Sequence, residues 1–445
     1  MEKNKIYLIR HGKSIDNQKE VIQGTKINNG LCDDAYNELG KLTDDLKSKN
    51  IKFILSSPYL RTKQTAETIA KNISLEKIFY HNELREFDSG IFSGMSHTEA
   101  KEKYPNEYKI WTNRGDLDGI KNAETGNQLQ ARAIYVINLL KKQYVDQGSF
   151  LIVSHCGFMR SLINTMQNKH RCTPINYRHY VIHTIDKLKI KSKTIQDKNN
   201  KKLVIYKTKN GNYILKEQSS KKDISEIINL EEIKKLNLFP EILFHLNKDN
   251  LETTIYKFEI GKHKKGKFNK KDEENYLLNF TNLLKSITLI SSSKFSKLTS
   301  IDEKIKKLQN EKTAKFTEII ENLGYKFENS SLIHYDLHRE NILFNKNNIK
   351  FLDYGGFLIG DAEFMIGANM TSCFLLEGYS KEEVEEIIKN NFPNYKFEKI
   401  KKAIVIKAIL SYNYFRNAKS KKEMIFKEKY ENIINMFWSE LWKFV

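Results

Sequence analysis

The chain has 445 residues, 40% of them hydrophobic and 11% aromatic, with a formal net charge of +20. That length exceeds one ordinary hydrophobic core and predicts two or three domains, and the apolar content excludes a disordered chain. The lysines run through a Lys, Asn, Ile and Glu vocabulary without forming a basic stripe, so no nucleic-acid partner is expected and the positive field suits small anionic substrates.

Residues 1 to about 190 alternate short apolar strands with amphipathic helices. Strands are expected over 6–9, 53–56 and 150–153, with helices over 39–49, 62–71 and 128–144. This alternation predicts an α/β domain with a largely parallel sheet, in which ligands gather beyond the carboxyl ends of strands. His11 in LIRHG and His155 in LIVSHCG each follow such an end. Residues 191–202, KSKTIQDKNNKK, are polar and lack periodicity, which predicts a linker. After it, KLVIYKTKNGNYILKEQ reads as two strands joined by an Asn-Gly turn, followed by a helix over 224–236 and strands in ILFHLN and TTIYKFEIG. Beyond Gly261 the pattern is mainly helical, interrupted by strand-like NILF and IKFLDYG.

Cys32, Cys156, Cys172 and Cys373 show neither CxxC spacing nor a dense framework, so neither a zinc site nor a disulfide scaffold is expected and the setting is cytoplasmic. The amino-terminal apolar run is a strand rather than a signal-peptide core, and no run is long enough for membrane insertion.

Two segments carry phosphate chemistry. In the first, Gly12 lets the backbone approach an anion beside Arg10 and His11. Arg61, in SSPYLRTKQTAE, projects at a strand-to-helix junction, where its planar fork suits phosphate oxygens. RHGKSIDN, SSPYLRTKQTAE, LREFDSGIFSG, NAETG with Arg132 after it, and VSHCG occur in an order that resembles the histidine phosphatase superfamily, the phosphoglycerate-mutase-like group. The resemblance implies an α/β/α sandwich with a mainly parallel sheet over 1–190 and a phosphohistidine mechanism. His11 would be the nucleophile and Arg10, Asn17, Arg61 and His155 would bind the phosphate. Glu86 would be the acid and base, preferred over Glu83 for its spacing to Gly90. Lys13 stands where the family often has Glu. No long insertion of the mutase kind is evident, so phosphatase is favoured over mutase, and no cofactor is required there.

In the second segment, HYDLHRENILF and FLDYG place Asp336 five residues before Asn341 and Asp353 twelve after it. A hydroxyl acceptor needs an oriented base, which Asp336 fits, and Mg²⁺ needs hard oxygen ligands, which Asn341 and Asp353 fit. The pattern resembles the aminoglycoside phosphotransferase and choline kinase group. That resemblance implies a protein-kinase-like α+β bilobal domain, with an N-lobe over 203–262 and a C-lobe over 263–445, using ATP and Mg²⁺. Lys216 would pair the nucleotide phosphates, with Glu226 as its helix partner and Glu231 or Glu232 as alternatives, and Phe258 and Glu259 would form the adenine hinge.

The combined expectation is a bifunctional enzyme. A phosphomonoesterase acts on a small phosphorylated metabolite, and a kinase phosphorylates a small alcohol such as choline, ethanolamine or a sugar, in one coherent role for surface-glycan precursors. An acidic acceptor pocket, with Glu363 or Glu377 contributing, would suit cationic alcohols. The alternatives are an aminoglycoside-type antibiotic phosphotransferase or a regulatory pseudoenzyme in one domain.

Overall fold

Strand β1 (Ile6–Arg10) has its first four residues buried, and a strand buried on both faces needs cover on each side of its sheet. The computed structural model describes residues 4–114, 117–175, 178–186, 188–198, 201–219, 224–259, 261–296, 298–311, 316–328, 330–345 and 348–441. The chain divides into two compact units, Met1–Ser219 with Ile242–Phe258, and Ser220–Glu241 with Glu259–Val445.

In the first unit β1 is followed by α1 (Ile15–Gln18), α2 (Asp34–Lys47), β2 (Ile54–Ser56), α3 (Leu60–Asn72) and β3 (Ile78–Tyr80). Next come α4 (His97–Lys103), α5 (Pro105–Arg114), α6 (Gly126–Gln143), β4 (Phe150–Ser154), α7 (Cys156–Met166) and β5 (His183–Ile185). The strand order is β3-β2-β4-β1-β5, parallel except where β5 joins β1. Strand alternation sorts the side chains. Ile6, Leu8, Phe150 and Ile152 form one core with Ile134, Ile137 and Leu162 of α6 and α7. Tyr7, Ile9, Leu151 and Val153 form another with Leu39, Leu42 and Ile69 of α2 and α3. This is an α/β/α sandwich with a mainly parallel sheet.

A second sheet follows, built from β6 (Lys191–Lys198), β7 (Lys201–Thr208), β8 (Gly211–Ser219), β9 (Ile242–Lys248) and β10 (Leu251–Lys257). Its order is β6-β7-β8-β10-β9, antiparallel throughout. The expected linker over 191–202 is therefore corrected, because residues 191–198 are an edge strand paired with β7. Exposed lysines and polar residues guard an unpaired edge, and that composition reads like a linker. The hairpin is present, with Thr208 opposite Gly211, whose φ of +123° favours glycine.

The expected cut into a domain over 1–190 and an N-lobe over 203–262 also differs from what forms. Val204, Tyr206, Tyr213, Leu215, Leu243 and Ile255 of the second sheet belong to the same core as α6 and α7. Tyr135 of α6 stacks on Phe244 at 4.8 Å, and Asn138 and Lys142 of α6 bond the Glu217 carboxylate at 3.0 and 2.6 Å. The physical reason is α6 itself, buried almost continuously from Leu129 to Leu140. A helix buried around most of its circumference needs a second cover, and the antiparallel sheet provides it.

The second unit holds α8 (Ser225–Ile228), α9 (Glu231–Leu236), α10 (Lys270–Thr288), α11 (Ile301–Gln309), α12 (Thr317–Asn322) and the strands β11 (Ser331–His334), β12 (Ile342–Asn345), β13 (Asn348–Phe351) and β14 (Phe357–Gly360). It ends with α13 (Ala362–Asn369), α14 (Lys381–Asn391), α15 (Phe397–Tyr414) and α16 (Lys421–Leu441). The helix expected over 224–236 is two short ones, because Leu230 is extended between them. Strands β11 and β14 pair antiparallel, as do β12 and β13, so the unit is α+β. Among the described residues, no helix is long and apolar enough to cross a membrane.

Candidate active site

The carboxyl ends of β1 and β4 lie side by side, with Arg10 opposite Ser154, so the residues that follow each strand meet. His11 is 2% exposed, and its ring centre lies 5.2 Å from that of His155 and 5.4 Å from that of His179. His11 Nδ1 lies 2.7 Å from the Gly12 carbonyl oxygen. A carbonyl only accepts, so Nδ1 carries the proton and Nε2 presents a bare lone pair. The Gly12 N–H donates to Thr65 Oγ1 at 2.9 Å, fixing the turn that carries His11.

Arg61, in the first turn of α3, is buried and donates to the Ile27 carbonyl at 3.1 Å. Burial lowers its pKa to about 10 against the opposing pull of Glu86, so it stays charged at neutral pH. Burial, then Arg61, Arg10 and the neighbouring imidazoles, holds His11 well below the ordinary histidine value. His155 is depressed by burial, then by Arg61, Arg10 and Arg132, and His179 is pushed down to about 4, chiefly by burial and then Arg10. Three uncharged imidazoles thus stand beside two guanidinium cations. Arg10 Nε, Arg61 Nε and His155 Nδ1 are buried polar atoms lacking a protein partner. Such a group suits an anion that would complete their bonding.

Glu86 sits at the start of α7, where its carboxylate accepts from Gly157 N–H at 3.1 Å and from Phe158 N–H at 2.9 Å, as well as from Phe87 N–H at 3.0 Å. A carboxylate at a helix amino end is favoured by the exposed N–H groups there. Glycine is required at 157, since a Cβ there would lie 1.9 Å from the Phe87 ring. Glu83, the competitor, acts electrostatically on His81, Arg85 and Tyr135, whereas Glu86 acts on Arg61 and Cys156.

Behind this turn Arg132 is 1% exposed and makes five hydrogen bonds. Two go to the Glu124 carboxylate and one each to the carbonyls of Glu83, Arg85 and Glu86.

His11, Arg10, Arg61, Glu86 and His155 therefore share one site. Asn17 caps α1, its side-chain oxygen accepting from Ser14 N–H at 3.2 Å. His179 is the residue the sequence reading missed. Its Nδ1 lies 2.6 Å from the His11 carbonyl oxygen. The signal was in the pairing of β5: Leu8 opposes His183 antiparallel, so residues preceding His183 run back past the end of β1.

The second cluster is built around β11. His334 Nε2 lies 2.6 Å from the Asp353 carbonyl, Asn341 Nδ2 donates to the Asp336 carbonyl at 3.1 Å, and Leu352 N–H donates to the Asn341 carbonyl at 2.8 Å. These bonds tie the Asp336, Asn341 and Asp353 segments together. With its nitrogen engaged, Asn341 offers its side-chain oxygen, and Asp353 adds a carboxylate that accepts from Gly355 N–H at 3.1 Å. Burial alone would raise the Asp336 carboxyl, but Lys407 and then His338 hold it below the ordinary aspartate value.

Lys216 is buried on β8 in the first unit, opposite Thr254. Glu226 lies in the second unit, accepting from Ser296 Oγ at 2.8 Å. Phe258 closes the first unit and Glu259 opens the next segment of the second. Glu363 pairs with Lys399 at 3.8 Å and Glu377 accepts from Gly266 N–H, which corrects the expected acidic pocket: neither lines the cavity at Asp336.

Residues 6–197 match the model of the histidine phosphatase superfamily (branch 1). Phosphoserine phosphatase 1 of Hydrogenobacter thermophilus is 29% identical over 163 residues, 36% of this chain and 74% of that protein. The probable phosphoglycerate mutase GpmB of Salmonella arizonae is 30% identical over 166 residues, again 36% of this chain and 74% of its own length. Among solved structures, a mycobacterial glucosyl-3-phosphoglycerate phosphatase covers 43% of this chain and 92% of its own at 16% identity, with a TM-score of 0.38.

Proposed function

Because the chain belongs to the histidine phosphatase superfamily through residues 6–197, we propose that its first site is a phosphomonoesterase working through a phosphohistidine at His11. The observation that carries this reading is the bare Nε2 of His11 among buried cationic donors. His11 Nε2 attacks phosphorus, an N–P bond forms and the ester O–P bond breaks, with the alkoxide taking a proton from Glu86. Glu86 then accepts a proton from water as the water oxygen attacks, the N–P bond breaks, and inorganic phosphate leaves a neutral His11. Arg10, Arg61 and His155 stabilise the charge on the equatorial oxygens. In this role Asn17 acts through the α1 cap as well as through any phosphate contact. His11→Ala is expected to abolish p-nitrophenyl phosphate hydrolysis, and hydrolysis persisting in that variant removes His11 from the nucleophile role.

A second reading makes the chain bifunctional, with the unit around Asp336 as a kinase-like phosphotransferase for a small-molecule hydroxyl. It is supported by the bonds that join Asp336, Asn341 and Asp353. Asp336 would orient the acceptor hydroxyl. The amide oxygen of Asn341 and the carboxylate of Asp353 are hard donors that fit Mg²⁺, which would screen nucleotide phosphate charge when bound. Glu226 and Glu259 of that unit remain proposed nucleotide contacts. Asp336→Ala and Asp353→Ala should each eliminate Mg²⁺-dependent ATP turnover while hydrolysis by the first site continues. Undiminished ATP turnover in either variant breaks the assignment.

A further inference from the structure

The Asp336 carboxylate opens onto a cavity of about 760 Å³ within the second unit, lined by α11, α15 and the segment after α15. Neither Asn341 nor Asp353 lines it, so it lies on the acceptor side of Asp336 rather than at the proposed metal ligands. Its charges do not balance. Lys407, only 4% exposed, pairs with Asp336 at 3.2 Å, and Arg416 pairs with Glu311. Glu303 is committed to the amino end of α11, accepting from Ser300 N–H at 2.9 Å.

Across the lining four cations face three carboxylates, and two lysines stand outside the ion pairs. Lys304 is half-buried and donates to the Tyr335 hydroxyl at 3.0 Å, and Lys307 is exposed at the rim. Among the described residues, neither has a carboxylate within ion-pair distance. The ammonium groups of Lys304 and Lys407 both stand 4.5 Å from the centre of the Tyr335 ring. Burial, then Lys407, holds Lys304 below the ordinary lysine value against the pull of Asp336. Two cations around one aromatic ring, with a single carboxylate between them, leave a surplus of positive charge facing the cavity. A cationic alcohol would add to that surplus, whereas an anionic one would neutralise it.

Resting on the phosphotransferase reading of Asp336, we infer that this cavity takes an acceptor alcohol bearing a phosphate or carboxylate, with its anion at Lys304 and Lys307 and its hydroxyl at Asp336. The same lysine chemistry could serve the terminal phosphate of the nucleotide, so the test separates the two sources.

The test is isothermal titration of the full chain carrying His11→Ala, without ATP, using glycerol 3-phosphate, glycerol, choline and Mg²⁺ with a non-hydrolysable ATP analogue. Glycerol 3-phosphate is expected to bind at least tenfold more tightly than glycerol or choline. Adding Lys304→Met should weaken it about tenfold, since a hydrogen bond between charged groups is lost. Lys307→Met, at an exposed position, should weaken it several-fold and reduce its dependence on NaCl. The inference is overturned if both lysine variants leave the glycerol 3-phosphate isotherm unchanged, if choline binds more tightly, or if only the ATP analogue is weakened. If glycerol 3-phosphate binds through the lysines but no alcohol in a metabolite extract is phosphorylated with ATP, the anion site stands and the phosphotransferase reading falls. If ATP turnover occurs on choline and ignores both lysine variants, the reverse holds.

Discussion

Arg132 offers the sharpest test of how the first site is assembled. A guanidinium has five N–H donors, and the five bonds of Arg132 engage all of them on Glu124 and on the carbonyls of Glu83, Arg85 and Glu86. No donor remains for phosphate, so Arg132 positions the turn that carries Glu86. Arg132→Leu leaves the Glu124 carboxylate, 11% exposed, without its cation and three carbonyls without a donor. Removing one partner of a buried pair costs about 3–5 kcal/mol. For a unit of this size that lowers the melting temperature by about 6–20 °C. Loss of the brace also lets Glu86 drift, and a displacement of about 1 Å costs up to about 100-fold in rate. The assay is a thermal melt with steady-state hydrolysis of p-nitrophenyl phosphate, read as kcat and KM separately. The expected result is a lower melting temperature and a fall in kcat with KM little changed. Arg132→Lys, which keeps the charge but not the planar fork, should recover only part of each. A melting temperature within about 2 °C of the parent, or a raised KM with intact kcat, would refute the reasoning by making Arg132 dispensable or a phosphate ligand.

Two further outcomes follow from the same geometry. His11, His155 and His179 are depressed in the fold, whereas unfolded histidine titrates near about 6.5. The unfolded chain therefore binds more protons as pH falls, so the stability these groups contribute is full above about pH 6.5 and is lost on acidification, for His179 down to about 4. With three protons taken up, the slope reaches about 4 kcal/mol per pH unit, and melting temperatures measured from pH 7 to 5 should fall steeply, less so in His179→Gln. A flat profile over that range contradicts the burial of neutral imidazoles. Second, truncation after residue 190 should leave α6 uncovered and give an aggregating or molten product, whereas a chain ending at 258 should melt cooperatively. Equal cooperativity by calorimetry would show that the second sheet is not part of the first core.

What the sequence determined by itself was the local placement of side chains. The strand-turn-helix units around His11 and His155, and the Asp336, Asn341 and Asp353 spacing, are short-range patterns in which backbone direction fixes where a side chain emerges. Tertiary structure decided what depends on distant partners. Residues 191–198 read as a linker because an exposed edge strand and a linker share polar composition, and only pairing with β7 separates them. Gln130 and Asn138 gave no hint that α6 has a second neighbour, since each is polar in sequence and becomes interior by bonding Tyr213 and Glu217. His179 reaches His11 across 168 positions through the antiparallel return of β5. The surplus of cations at Asp336 likewise emerges only when α11 and α15 bring Lys304 and Lys407 to one ring. Charge balance in a cavity is a property of which helices pack together, and a single sequence does not carry it.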